Sequence, residues 1–308
     1  MATITFNCPQ CDCICAFKDV YAGRRAKCLR CNQLFIIPHT DKEHVKKIKL
    51  PKEYDEPLPG FYEAVFKKSW PAIFNKKSFT TLIFILIVIT FKFFVAHLNF
   101  AVHFSCQSGG TIFIPLPFGT IFSCLAWGAI FWCYAEIIMA TAYDNETLPA
   151  ITFGGGFGYI MTVLGSLISF FAALLVVFVP AIIFKFVFSY IGITSKWALV
   201  PFIILGLFLF PMAVLLVSMS RDICTLFRPS HFIIPIKKTF PHYLFLVSLF
   251  SITWFLWYIT KDYGRIRNFD DSIIILNLFA ALFIQILAVF SMRATGLFYR
   301  HFNCYFRY

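Results

Sequence analysis

Between Phe93 and Phe184 the chain has no lysine and no arginine, and its only charged side chains there are Glu136, Asp144 and Glu146. Charge is scarce throughout: 14% of the 308 residues are Asp, Glu, Lys or Arg, against 59% that are hydrophobic. That balance excludes an ordinary soluble domain, in which about a quarter of residues are charged. Catalytic signatures are missing as well. No HExxH, GxSxG or P-loop pattern occurs, and no pair of aspartates falls within an apolar run. The chain therefore reads as a non-enzyme. No apolar run long enough to insert precedes Phe79, so a cleaved signal peptide is not expected, and the first run acts as an uncleaved anchor. The eleven cysteines are clustered near the N-terminus and then scattered, which is not the framework of a disulfide-rich secreted domain.

What the chain does have is a series of long apolar runs. A spanning helix needs ~20 predominantly apolar residues. Runs of that kind lie near residues 79–98, 119–142, 158–184, 197–220, 243–260 and 272–292. The expected fold is an all-α polytopic membrane helix bundle of about six transmembrane helices over 78–292, with a small N-terminal β zinc ribbon. Basic residues number 27 against 15 acidic ones, and fourteen of the 27 precede Ser78. Arg221, Arg228, Lys237 and Lys238 share one loop between runs, while Arg293, Arg300 and Arg307 lie in the tail. Such placement marks cytoplasmic orientation charges. Both termini are thus expected in the cytoplasm and the chain in the cell (inner) membrane, with the lipid bilayer as its partner. Nucleic acid is the less favoured use of the same charge. Trp127, Trp197, Trp254 and Trp257 fit an aromatic belt, and Lys92 fits a side chain snorkelling to the outer headgroups.

The first 38 residues carry the strongest chemical signal. Cys8 and Cys11 form one CxxC pair, Cys28 and Cys31 another, with a spacer in the ~15–20-residue range of zinc ribbons. Each pair makes a tight knuckle, and two knuckles bring four thiolates into tetrahedral reach of one Zn²⁺. Asp12 and Asn32, just after each second cysteine, tolerate the positive φ that such a turn favours. Alternation over 3–6, 14–17 and 34–37 predicts short strands, with Gly23 turning a central hairpin. Cys13 is an alternative to Cys11 as a ligand, although strand alternation makes Cys13 and Cys15 simply small side chains. A segment this short buries too little apolar surface to fold unaided, so the metal supplies stability. The wording FNCPQC…AGRRAKCLRCNQLFIIP resembles the short zinc-ribbon, finger-like domain at the N-terminus of bacterial multi-pass membrane proteins that have no assigned activity. The GLFYRHF near the C-terminus is similar to the ends of those same proteins.

Residues 39–59 are charged and punctuated by proline, which predicts a flexible tether. Over 60–77, Phe61, Tyr62, Val65, Phe66, Trp70, Ile73 and Phe74 recur at helical spacing beside lysines. Pro71 should divide this stretch into two interfacial pieces. In the tail, 293–308, Phe298, Phe302 and Tyr305 share one face and the three arginines another, the pattern of an amphipathic cap on the inner surface.

Inside the membrane, Glu136 is the sharpest residue, because a carboxylate in a spanning helix is a functional candidate. Counting 1.5 Å per residue from Ala142 and from Met292 puts Glu136 and Gln285 at matching depth, so the two are expected to face each other between spans two and six. Pro201, Gly206 and Pro211 mark either a kinked or a broken fourth span. Two functions compete. One is a membrane protein whose cytoplasmic zinc-binding ribbon docks a protein partner or regulates the bundle. The other is a transporter or channel with Glu136 in an intramembrane polar site.

Overall fold

A computed structural model describes residues 3–8, 14–18, 21–22, 24–28, 34–38, 56–76, 78–105, 111–144, 147–149, 157–192, 196–220 and 223–306. The chain divides into two compact units, Met1–Lys52 and Glu53–Tyr308.

The first unit is built from two antiparallel hairpins. β1 (Thr3–Asn7) pairs with β2 (Ile14–Lys18), and β3 (Arg25–Lys27) pairs with β4 (Leu34–Ile36). The registers close at Asn7 with Ile14 and at Lys27 with Leu34, so each CxxC pair lies in the connection between two paired strands. This corrects the expectation of a single central hairpin turned at Gly23, which itself lies outside the described residues. Alternation missed β3 because ArgAlaLys carries no large apolar side chain. The two hairpins share a core of Ile4, Phe6, Phe35 and Ile37, in which Phe6 and Phe35 meet edge to face at 5.2 Å.

In the second unit five helices among the described residues are long and apolar enough to cross a membrane. They are α4 (Phe118–Ala142), α5 (Phe157–Ile191), α6 (Val200–Ser220, led by a 3₁₀ turn from Lys196), α8 (Phe240–Ile259) and α10 (Asp271–Phe302). The first expected span is α3 (Phe79–Val95), whose 17 residues make ~25 Å, at the short end of what crosses a hydrocarbon core. α3 nevertheless joins the same two ends of the bundle as α4. At one end the Ser78 hydroxyl accepts from Leu148 N–H (2.9 Å), just past α4, and at the other Gly119 N–H donates to Leu98 O (2.9 Å). Between α3 and α4 lies a hairpin, β5 (Phe100–Ser105) with β6 (Thr111–Leu116). The short α7 (Ser230–Lys238) stands between α6 and α8, and α9 (Tyr263–Ile266) between α8 and α10.

Close approach between helices is set by glycine. A Cβ on Gly128 of α4 would lie 2.8 Å from the Val163 carbonyl of α5. On Gly296 of α10 it would lie 2.6 Å from the Ile138 carbonyl of α4. On Gly206 it would strike the Phe178 ring, so that glycine packs α6 against α5. α6 runs on through Pro211 as one helix, and α5 through Pro180.

Three segments differ from expectation. The end of the tether is docked: Leu58 N–H donates to His301 O, and His301 Nδ1 lies 3.1 Å from Leu58 O. The beginning of this unit and the end of α10 therefore lie together. The 61–73 stretch is one helical run, with α1 (Phe61–Glu63), a π-helical Ala64–Lys68 and α2 (Ser69–Ile73) in succession. Pro71 lacks a donor and crowds the preceding turn, and the wider π turn accommodates it. Its Phe61, Val65 and Ile73 are buried in the bundle, leaving Tyr62, Phe66, Trp70 and Phe74 exposed. The tail is no surface cap up to Phe302, because α10 continues unbroken past Met292 and buries Arg293, Phe298 and Phe302. Phe298 and Phe302 pack on Phe61 at 6.1 and 5.7 Å, and Arg300 pairs with Asp144 at 2.6 Å.

Candidate functional site

Glu136 lies half-buried on α4, six residues before the helix ends, and opens onto a cavity of about 330 Å³. Across it α5 presents Thr162, Ser166 and Ser169, whose spacing of four and three puts all three hydroxyls on one helical face. α6 adds Ser218, and α10 adds Met292. One carboxylate and four hydroxyls thus share a space otherwise walled by aromatic and aliphatic side chains. A carboxylate offers about four lone-pair sites, and each hydroxyl both donates and accepts. The arrangement can hold a small polar solute inside an apolar bundle.

A second cavity, of about 240 Å³, lies beyond the first toward the end of the bundle where α8 finishes and α10 starts. It is lined largely by aromatic rings, Trp127, Phe210, Phe250, Trp254 and Trp257 among them, with Thr253, Gln285 and Ser291 as its polar groups. Four residues belong to both cavities: Phe131, Tyr134, Phe170 and Met292. Phe131 and Phe170 form a stack, with centroids 3.4 Å apart and planes 14° from parallel. On α4, α6 and α10 alike, the aromatic cavity uses residues further from the Arg300–Asp144 end than the polar cavity does. The two spaces are successive along the bundle, and the stacked rings are part of the wall between them.

The expected Glu136–Gln285 pair is replaced by a different partner. Spans two and six are neighbours, as Gly296 against Ile138 attests, but Gln285 Oε1 accepts from the Tyr134 hydroxyl at 2.5 Å. Gln285 lines the aromatic cavity and Glu136 the polar one. Met292 is not the end of α10: the helix runs to Phe302, which sets Gln285 further from that end than Glu136 is from the end of α4. Lys92 is also corrected. It is buried, its Nζ is 3.4 Å from Asp262 in the connection after α8 and 5.1 Å from the Trp127 ring centroid, so protein groups rather than headgroups meet its charge. Of the expected aromatic belt, Trp127, Trp254 and Trp257 line the aromatic cavity instead, while Trp197 is exposed.

The hydroxyl face of α5 was overlooked, though MTVLGSLIS displays it as hydroxyls at helical spacing within an apolar run. Arg293 was assigned to a surface cap. It is 4% exposed and follows Met292, which lines the polar cavity, so it stands near the level of Glu136 on the adjacent helix.

In the first unit, Cys8 and Cys28 occupy equivalent places, each directly after the first strand of its hairpin. Both are buried, and both belong to the same small core. Cys11 and Cys31 lie outside the described residues, and among the described residues no group of three or more metal-binding side chains assembles. Cys8 and Cys28 are thus two buried thiols of one core, half of the four that a Cys₄ zinc site uses. Comparison of the chain with models of known protein families, with curated protein sequences and with solved structures gives no match in any of the three.

Proposed function

We propose that this chain is a six-span protein of the inner membrane, with both termini cytoplasmic, that binds and passes a small solute rich in hydrogen-bond donors. The observation that carries this reading is the shared cavity of Glu136 with Thr162, Ser166, Ser169 and Ser218, next to a second cavity with which it shares the Phe131–Phe170 stack as a wall. Intramembrane carboxylates are costly and usually mark a solute or proton path. Neither cavity is lined by Lys, Arg or His among the described residues, and Glu136 is the charged side chain that the polar cavity's described wall contains. Six crossings are supported by α3 joining the same ends as α4, and by Leu58 meeting His301 at one end. The ribbon is then a cytoplasmic zinc-binding module, held by Cys8, Cys11, Cys28 and Cys31. It serves docking or regulation by a protein partner, and no catalytic step is assigned to it.

Isothermal titration of the purified full chain with methylammonium, urea and glycerol tests the cavity. Glu136→Gln should weaken the tightest of these about tenfold or more, since a charge-assisted hydrogen bond is exchanged for a neutral one. If all three bind the variant as tightly as the wild type, Glu136 is not the solute site.

A further inference from the structure

We propose that the aromatic cavity is a cation–π cage for an organic ammonium ion, the waiting site from which the same solute passes the Phe131–Phe170 stack to Glu136. The proposal rests on the solute-binding reading above and narrows its solute from any hydrogen-bond donor to an ammonium. Trp127, Trp254 and Trp257 line the cavity with Phe210 and Phe250, and the rings brace one another edge to face, Trp254 at 5.5 Å from Phe210 and 6.4 Å from Trp257. Ring faces carry negative quadrupole potential, and tryptophan is the best of them, so several rings around one space select a cation of low hydration. Trp127 shows the same chemistry with a side chain of this protein: Lys92 Nζ stands 5.1 Å over its ring, the charge met by Asp262 at 3.4 Å. No carboxylate lines the cage among the described residues, which suits an organic ammonium better than a small metal ion that needs oxygen ligands. At the shared wall, the Tyr134 hydroxyl and Gln285 offer polar groups beside the stack, and beyond it Glu136 and the α5 hydroxyls accept the N–H groups. The order of sites, rings first and carboxylate second, exchanges the cation's hydration in two stages.

The test uses the full chain in lipid nanodiscs and two probes. Tetramethylammonium fits a ring cage but has no N–H to give to Glu136, whereas methylammonium has three. Tetramethylammonium should bind saturably by titration calorimetry, and tert-butanol, of similar shape and no charge, should not. Trp254→Leu should weaken tetramethylammonium about tenfold, Trp254→Phe should restore it to within about threefold, and Glu136→Gln should change it less than about twofold. Equal binding of tert-butanol, or tetramethylammonium binding that ignores Trp254→Leu while Trp254→Phe folds normally, overturns the cage. Methylammonium binding that ignores Glu136→Gln overturns the inner site instead, whatever the cage result.

Discussion

Gly296→Val should be among the most damaging single substitutions in the bundle, costing about 3 kcal/mol through overpacking. Its Cβ would lie 2.6 Å from the Ile138 carbonyl and 2.7 Å from Thr141 Cβ. The first of these is helix backbone and cannot rotate away. Relief requires α10 to withdraw from α4, and that shift would also pull at the Tyr134–Gln285 hydrogen bond and the packing of Phe298 on Phe61. Gly165→Ala is the matched control, because its Cβ meets no heavy atom within 4 Å. It should keep or slightly raise stability, as alanine is the better helix former by about 1 kcal/mol. Thermal denaturation of the detergent-purified chain, followed by loss of its monodisperse chromatographic peak, separates the two. A Gly296→Val protein as stable as Gly165→Ala would mean that the close α4–α10 crossing is wrong.

The second large effect concerns the ribbon. The purified full chain should carry one zinc, and Cys8→Ser or Cys28→Ser should each abolish it. Structural zinc contributes about 10–16 kcal/mol of apparent binding free energy at neutral pH. The aromatic core around Phe6 and Phe35 is too small to offset the loss of that much. Cys15→Ser should leave the metal in place, since Cys15 lies within β2, paired with Phe6 of β1, rather than in either strand connection. Elemental analysis after dialysis reads the stoichiometry directly. Zinc retained at one per chain in Cys8→Ser, or lost in Cys15→Ser, would reassign the ligands.

The apolar runs of α4, α5, α6, α8 and α10 were legible because period and length alone specify a membrane helix, and the CxxC pairs because their spacing is a chemical requirement. What pairs with what was not. The 293–302 pattern suits a helix on a lipid surface and a helix packed in protein equally well. The choice is made by Gly296 admitting Ile138, and by Phe61 arriving from a segment more than 200 residues earlier to cover Phe298 and Phe302. Gln285 had the right neighbour helix and the wrong partner, since a helix end misplaced by ten residues shifts depth by ~15 Å. The hydroxyls of α5 stand at helical spacing in the sequence, but only the crossing of α4 and α5 gives them a carboxylate to share a cavity with. The Phe131–Phe170 stack had no sequence signal at all, with forty-one phenylalanines to choose from.

Solute passage at the stack and the carboxylate is the central claim, and flux into proteoliposomes addresses it most directly. Methylammonium uptake should saturate with the wild-type chain, fall to the protein-free rate with Glu136→Gln, and lose saturation with Phe131→Ala, which removes one ring of the stack. Uptake by wild-type vesicles no faster than by protein-free ones, or a Glu136→Gln chain that passes methylammonium at the wild-type rate, would contradict it.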